Sequence, residues 1–304
     1  MRRSLFGVLM LALILGVATG ASAHIGDTIY LFYEIPDADV ADIDFDDGTV
    51  DDWRDVVGDP SVTALDFLPL AVGDGAGYDP NDMDYQIWFG WNESTGTIWA
   101  AMERTDDVYV NEYEGGNTGD FWRWDSCMEM MLDGDHSGGA YADAGNCDGC
   151  DEDALNLFDN RQAQQFLTLS DTPDGQAIGY HGKAQTWFFL PPYCDGGGVS
   201  VGTSHVISYN EFYVTPMDNL IYNDPEASVA SQLYTDKIIG FQISVPDFET
   251  GPAAYHAFHT MSGQAQTWQL AERFVDARLV GGSGVIPTAV ADESWGRIKA
   301  SFGE

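Results

Sequence analysis

Short runs in which apolar and polar positions alternate recur along this chain, each closed by Gly, Pro, Asn or Asp. Residues 28–33, 85–91, 98–104, 126–132, 166–169, 184–190, 205–214, 237–245, 255–261 and 295–302 have this form. They are rich in Val, Ile, Phe, Tyr and Trp, which suit a pleated, half-buried surface. Only Asp151 to Arg161 reads as a helix, with acidic residues at its start and Leu155 and Phe158 three positions apart. The pattern predicts an all-β fold, an antiparallel β-sandwich of jelly-roll type with long loops and one short helix.

The clearest hairpin is YQIWFGWNESTGTIWAAMER. A turn centred on Ser94 and Thr95 pairs Trp91 with Ile98, Gly90 with Trp99, Trp88 with Ala101 and Gln86 with Glu103. Tyr85, Ile87, Phe89, Trp91, Ile98, Ala100 and Met102 then form a core face, and Gln86, Trp88, Trp99, Ala101 and Glu103 the opposite one. The same test on FWRWDSCMEMMLDGD puts Trp122, Trp124, Met128, Met130 and Leu132 inward, and Arg123, Asp125, Cys127 and Glu129 outward. If the three strands share a sheet, its outer face offers two Trp rings among Arg, Asp, Glu and Gln. Flat aromatic surface covers the C–H faces of a sugar ring and planar polar groups bond its hydroxyl rim, so this set suits a saccharide.

Ahead of the first strand stand Arg2 and Arg3, an uninterrupted apolar run and Ala21-Ser22-Ala23, the form of a cleaved export signal over residues 1–23. No later stretch approaches the roughly 18 apolar residues of a membrane span. A secreted protein, extracellular or periplasmic and without a membrane span, is therefore expected, with residues 24–304 as a single β-sandwich domain. Loss of Arg2 and Arg3 takes the formal net charge from -37 to -39. That charge repels nucleic acid and anionic lipid.

Four Cys in an exported chain predict two disulfides. Three connectivities satisfy the count, and the pairing expected here is Cys147 with Cys150 and Cys127 with Cys194. A structural calcium is expected at Asp133, Asp135 and Ser137, alternate positions before Gly138, although Ala144 at the twelfth position excludes a complete EF-hand. The run DADVADIDFDDG, which opens a stretch with ten Asp between Asp37 and Asp59, is a second calcium candidate.

At this point IDFDDGTVDDW, IWFGWNESTGTIWAAMERTDD and WDSCMEMMLDGD stand in an order that resembles the family 9 carbohydrate-binding modules, cellulose- and xylan-binding extracellular domains related to DOMON domains. The later KIIGFQISVPDF and SWGRIKASF keep that order, and Trp124, Asp125 and Glu129 carry the most specific motif. The resemblance implies a non-catalytic β-sandwich that binds a polysaccharide or its chain ends and usually holds calcium. Trp88 and Trp99 are expected to stack on the sugar and Gln86, Glu103, Arg123 and Glu129 to bond it, with Asp125 supporting Arg123. Other partners in this reading are surface proteins or an associated enzyme.

Two rival classes remain. One is a secreted structural or surface-assembly protein on the same sandwich, without a sugar site. The other is a redox protein acting on polysaccharide: cleavage after Ala23 would leave His24 at the amino terminus. There a second His (His181, His205, His256 or His259) can join it on copper, and a haem would use His259 and Met261. Hydrolysis has less support, because Asp125 and Glu129 on one strand lie about 13 Å apart, beyond the roughly 5 to 9.5 Å of a glycosidase pair. No nucleophile or metalloprotease motif is present.

Overall fold

A computed structural model describes residues 24–70, 72–142, 160–180, 187–221 and 224–282. The expected signal, Cys147, Cys150, His181, the strand at 295–302 and all but the last two residues of the expected helix at 151–161 lie outside the described residues.

The strands are β1 (Ile25–Glu34), β2 (Val62–Thr63), β3 (Leu68–Pro69), β4 (Met83–Asn92), β5 (Thr97–Asp106), β6 (Met128–Asp133), β7 (Gln164–Thr168) and β8 (Ile178–Tyr180). They continue with β9 (Cys194–Val201), β10 (Val206–Val214), β11 (Met217–Asn219), β12 (Val229–Ala230), β13 (Ile238–Phe248), β14 (Tyr255–Thr260) and β15 (Val275–Val280). Two short helices, α1 (Asp37–Val40) and α2 (Asp51–Val56), lie between β1 and β2. Among the described residues no helix is long and apolar enough to cross a membrane.

The main sheet runs β8-β7-β6-β13-β15-β1-β4-β5-β10-β9, with β14 on β13, and β11 and β12 form a small second sheet. The two halves of this path turn their inward residues to one core. Phe32, Phe89 and Phe241, from β1, β4 and β13, meet there with ring centroids 4.6–5.1 Å apart. The fold is the expected all-β sandwich, with two corrections: α1 and α2 stand where no helix was expected, and the strands are not all antiparallel. β1 pairs in parallel with both β15 and β4, so the sheet is mixed.

The hairpin β4–β5 has the register that its alternation predicts, Gln86 opposite Glu103 and Trp88 opposite Ala101. Residues 187–190, expected as the end of a strand, instead form a turn. β9 was not expected, because Gly196, Gly197 and Gly198 show no alternation. Its glycines have a packing reason: a Cβ on Gly197 would lie 1.9 Å from the Phe45 carbonyl oxygen, so only Gly lets that loop lie on the strand.

The outward face of the hairpin is covered. Ile35, Val50, Trp53 and Val57 pack on Trp88, Trp99 and Ala101 in a second apolar cluster. Trp88 is 0% and Trp99 5% exposed. The indole N–H of Trp88 donates to the Gly58 carbonyl (3.0 Å) and that of Trp99 to Thr97 Oγ1 (2.7 Å).

Candidate functional site

Burial of Trp88 and Trp99 removes them as stacking platforms. Glu103 is held by Arg54 (2.7 Å), whose guanidinium also lies 5.3 Å from the Trp88 ring. Gln86 sits beside them, facing Glu103 across the hairpin. β13, β15 and β1 separate this group from β6, so the three strands expected to share a site do not.

Asp125 does not support Arg123. It is buried and accepts from Arg104 Nη2 (2.8 Å), from Val110 N–H (2.7 Å) and from Phe248 N–H (3.1 Å). Arg104, also fully buried, bonds Asp106 and Asp247 and donates to the Pro246 carbonyl (2.7 Å). This knot ties β5, β13 and the turn before β6 together.

Cys127 and Cys194 are free, buried thiols in different apolar clusters, so the expected bridge between them is absent. Burial pushes both thiols well above their usual range. In the loop expected to hold calcium, the carboxylates accept hydrogen bonds from their own turn and from His24. Asp133 uses one carboxylate oxygen on Ser137 N–H (3.2 Å) and the other on Gly138 N–H (2.6 Å) and His24 (3.1 Å). Asp135 accepts from Ser137 N–H at 3.0 Å. In the second acidic run, Asp44, Asp47 and Asp52 accept backbone N–H bonds of their own loop, and Asp37 accepts from Asn92 and Ser94.

A concentration of unspent polar chemistry lies around Glu129. On β6 it stands opposite Leu167 of β7 and Ser244 of β13, and Ser244 stands opposite Thr260 of β14. Gln165, two residues along β7 on the same face, donates from Nε2 to Glu129 Oε2 at 3.3 Å. Glu129, Gln165, Ser244 and Thr260 are all buried, yet Gln165 Oε1 and Ser244 Oγ have no hydrogen-bond partner. Each such atom costs about 1–3 kcal/mol unless something bonds it.

Aromatic side chains border this polar row. Trp122 is half-buried against the cluster containing Leu167, with its ring 6.4 Å from that of Tyr255. The Tyr255 hydroxyl is pushed up by burial and then by the Glu129 carboxylate. Arg123, exposed, lies 5.0 Å over the Trp122 ring, pairs with Asp120 (3.3 Å), and its carbonyl accepts from Ala253 N–H (3.2 Å). At the far end of the row Gln242 Oε1 accepts from Ser262 N–H (3.2 Å), tying down the loop that carries the exposed Trp268.

Of the residues expected to bind sugar, the structure places Glu129 in the polar row and Arg123 over the Trp122 ring, and Gln86, Trp88, Trp99, Glu103 and Asp125 elsewhere. Tyr255, Gln165 and Ser244 were missed, and Trp122 was expected in the core. A usable signal existed in GFQISVPDF, where Gln242 and Ser244 alternate with Phe241, Ile243 and Val245.

Burial raises the Glu129 carboxyl to about 8, its bond from Gln165 opposing the rise. At neutral pH it is mostly protonated, able to donate one hydrogen bond and accept others. Because its folded value lies above its unfolded one, its stabilising contribution is full below about pH 4.5 and is lost as pH rises through about 8. Between pH 5 and 7 this amounts to about 2 kcal/mol, an order-of-magnitude value. Chemical denaturation of wild type and Glu129→Gln across that range should show the variant with the flatter profile; parallel profiles would mean that Glu129 is solvated.

No family model matches the chain, and no curated protein matches it. Among solved structures it is similar to a family 9 carbohydrate-binding module from Caldicellulosiruptor kristjanssonii in complex with glucose, with a TM-score of 0.50 and 12% identity over 85% of this chain and 100% of that one. The module in complex with cellotriose gives a TM-score of 0.49, with 12% identity over 86% of this chain and 99% of that one. At this identity the likeness is one of fold: the mixed-sheet sandwich described above is the fold of a family 9 carbohydrate-binding module.

Proposed function

We propose that the protein is a secreted, non-catalytic carbohydrate-binding protein whose site is the polar row of Glu129, Gln165 and Ser244 beside Trp122, Tyr255 and Arg123. The observation that carries this reading is the half-buried Trp122 ring, with the exposed Arg123 guanidinium 5.0 Å over it and the Tyr255 ring 6.4 Å away, together with a polar row whose Gln165 Oε1 and Ser244 Oγ have no partner. A ligand with hydroxyl groups around an apolar ring face satisfies both features at once, whereas an apolar ligand would leave the oxygens unbonded. The module of the same fold is solved with glucose, which adds support for a saccharide.

Pull-down on cellulose, xylan and algal polysaccharides, followed by calorimetry with the matching oligosaccharides, tests the proposal. Trp122→Ala should weaken binding roughly tenfold or more, since one aromatic platform is worth one to a few kcal/mol. Glu129→Gln should weaken it less at neutral pH, because the amide keeps a donor and an acceptor. Failure to bind any polysaccharide or oligosaccharide would favour the structural-protein reading, in which the same sandwich works through protein contacts.

A further inference from the structure

The turn after β6 and the two strands at opposite ends of the chain converge on a group that the sugar reading does not use. His24 precedes β1, Asp276 lies on β15 and His136 follows β6. The parallel register of β1 and β15, Ile25 beside Val275, brings the first two together. One ligand atom from each of the three lies within 4.8 Å of the other two. His136 Nε2 is 2.8 Å and His24 Nδ1 is 3.8 Å from Asp276 Oδ1, and the imidazole centroids are 4.1 Å apart. We infer that His24, His136 and Asp276 form a site for a divalent transition-metal ion of the zinc and copper class.

The spacing suits such an ion. Four ligands at about 2.0–2.1 Å in a tetrahedron stand about 3.3 Å from each other, so small ring rotations bring these three onto one centre. Two imidazoles and one carboxylate are the donors that zinc and copper prefer, whereas calcium takes six to eight oxygens. Side-chain exposure is 0% for His24, 12% for Asp276 and 27% for His136, which leaves one side open for a fourth ligand.

Three further features show a built site. The far nitrogen of His24, Nε2, lies 3.1 Å from Asp133 Oδ2, and Asp133 is itself fixed by Ser137 and Gly138 N–H. A carboxylate on the outer nitrogen of a histidine orients the ring and raises its basicity toward a metal. Gly240 of β13 makes room for that ring, because a Cβ there would lie 2.3 Å from His24 Nε2. His136 has φ +60°, a left-handed backbone that few residues other than Gly adopt and that aims its ring back at Asp276. Of the alternating acidic residues before Gly138, Asp133 thus supports a metal ligand. None of His205, His256 and His259 joins His24: His205 is exposed, His256 faces Asp82 (3.4 Å) and His259 bonds Tyr85 (3.1 Å).

The test uses untagged, full-length secreted protein, stripped with chelator and titrated with zinc sulfate or copper sulfate. Wild type should take up about one equivalent of either ion per chain, with a higher melting temperature, since the ion binds the folded state. His136→Ala, at a partly exposed turn position, should lose that equivalent, and Asp276→Asn should weaken it tenfold or more. His205→Ala is the control and should keep it. The group formed by Asp82, Asp247, Glu249 and His256 is intact in all of these variants, so any uptake there survives in His136→Ala and is subtracted. Equal uptake by wild type and His136→Ala, or no uptake by wild type at micromolar metal, would overturn the assignment.

Discussion

Arg104→Met should destabilise the protein by about 3–5 kcal/mol, the cost of leaving buried charges without their partner. Three carboxylates, Asp106, Asp125 and Asp247, converge on this guanidinium, which is 0% exposed. Burial already pushes Asp247 up to about 6 and Asp125 well above its usual range, and in both cases Arg104 opposes the rise. Without the cation their folded values climb further, so the variant must either bury like charges or bind protons to fold. Its deficit should therefore shrink as the pH is lowered from 8 to 5. Urea unfolding of both proteins at several pH values reads this directly, and a deficit under 1 kcal/mol, or one independent of pH, would show that the knot is hydrated and of little structural weight.

The charged knot also marks a limit of sequence reading. Asp125 and Arg123 are near neighbours in the chain, and strand alternation placed them together on an outward face. The alternation does not run that far back. Ser126 has φ +63°, which interrupts the extended backbone, and Thr118–Arg123 is a short 3-10 helix. Downstream of this break Met128, Met130 and Leu132 enter the core as expected. Upstream of it, Asp125 turns inward to Arg104 and Trp122 packs half-buried against the cluster of Leu167 instead of entering the core.

Local patterns were legible because they depend on neighbours in the chain. The β4–β5 register follows from turn length and alternation alone, and it is observed residue for residue. The sheet order does not follow from such patterns, because β1, β13 and β15 come from opposite ends of the sequence and enter between β6 and β4. Glu129 was therefore grouped with aromatic residues that lie across β13, β15 and β1 from it. Its true neighbours, Gln165, Ser244 and Tyr255, arrive through long-range pairings that no short motif records.

The cover over Trp88 was hidden by composition. Residues 35–57 look like a solvated acidic run, but Ile35, Val50, Trp53 and Val57 are spaced within it so that α2 and its flanks shed their Asp outward and lay an apolar side on the sheet. The Trp53 indole then donates to Glu211 Oε1 at 2.6 Å and fixes the cover to β10. Trp88→Ala should consequently cost about 3–5 kcal/mol of stability through loss of contacts and the cavity left behind. Trp122→Ala, half-exposed beside the polar row, should change stability far less and saccharide affinity far more. Thermal unfolding and oligosaccharide titration of the two variants separate these roles. A Trp88→Ala protein as stable as wild type but unable to bind sugar would mean that the cover opens in solution and that the hairpin face, not the Glu129 row, receives the ligand.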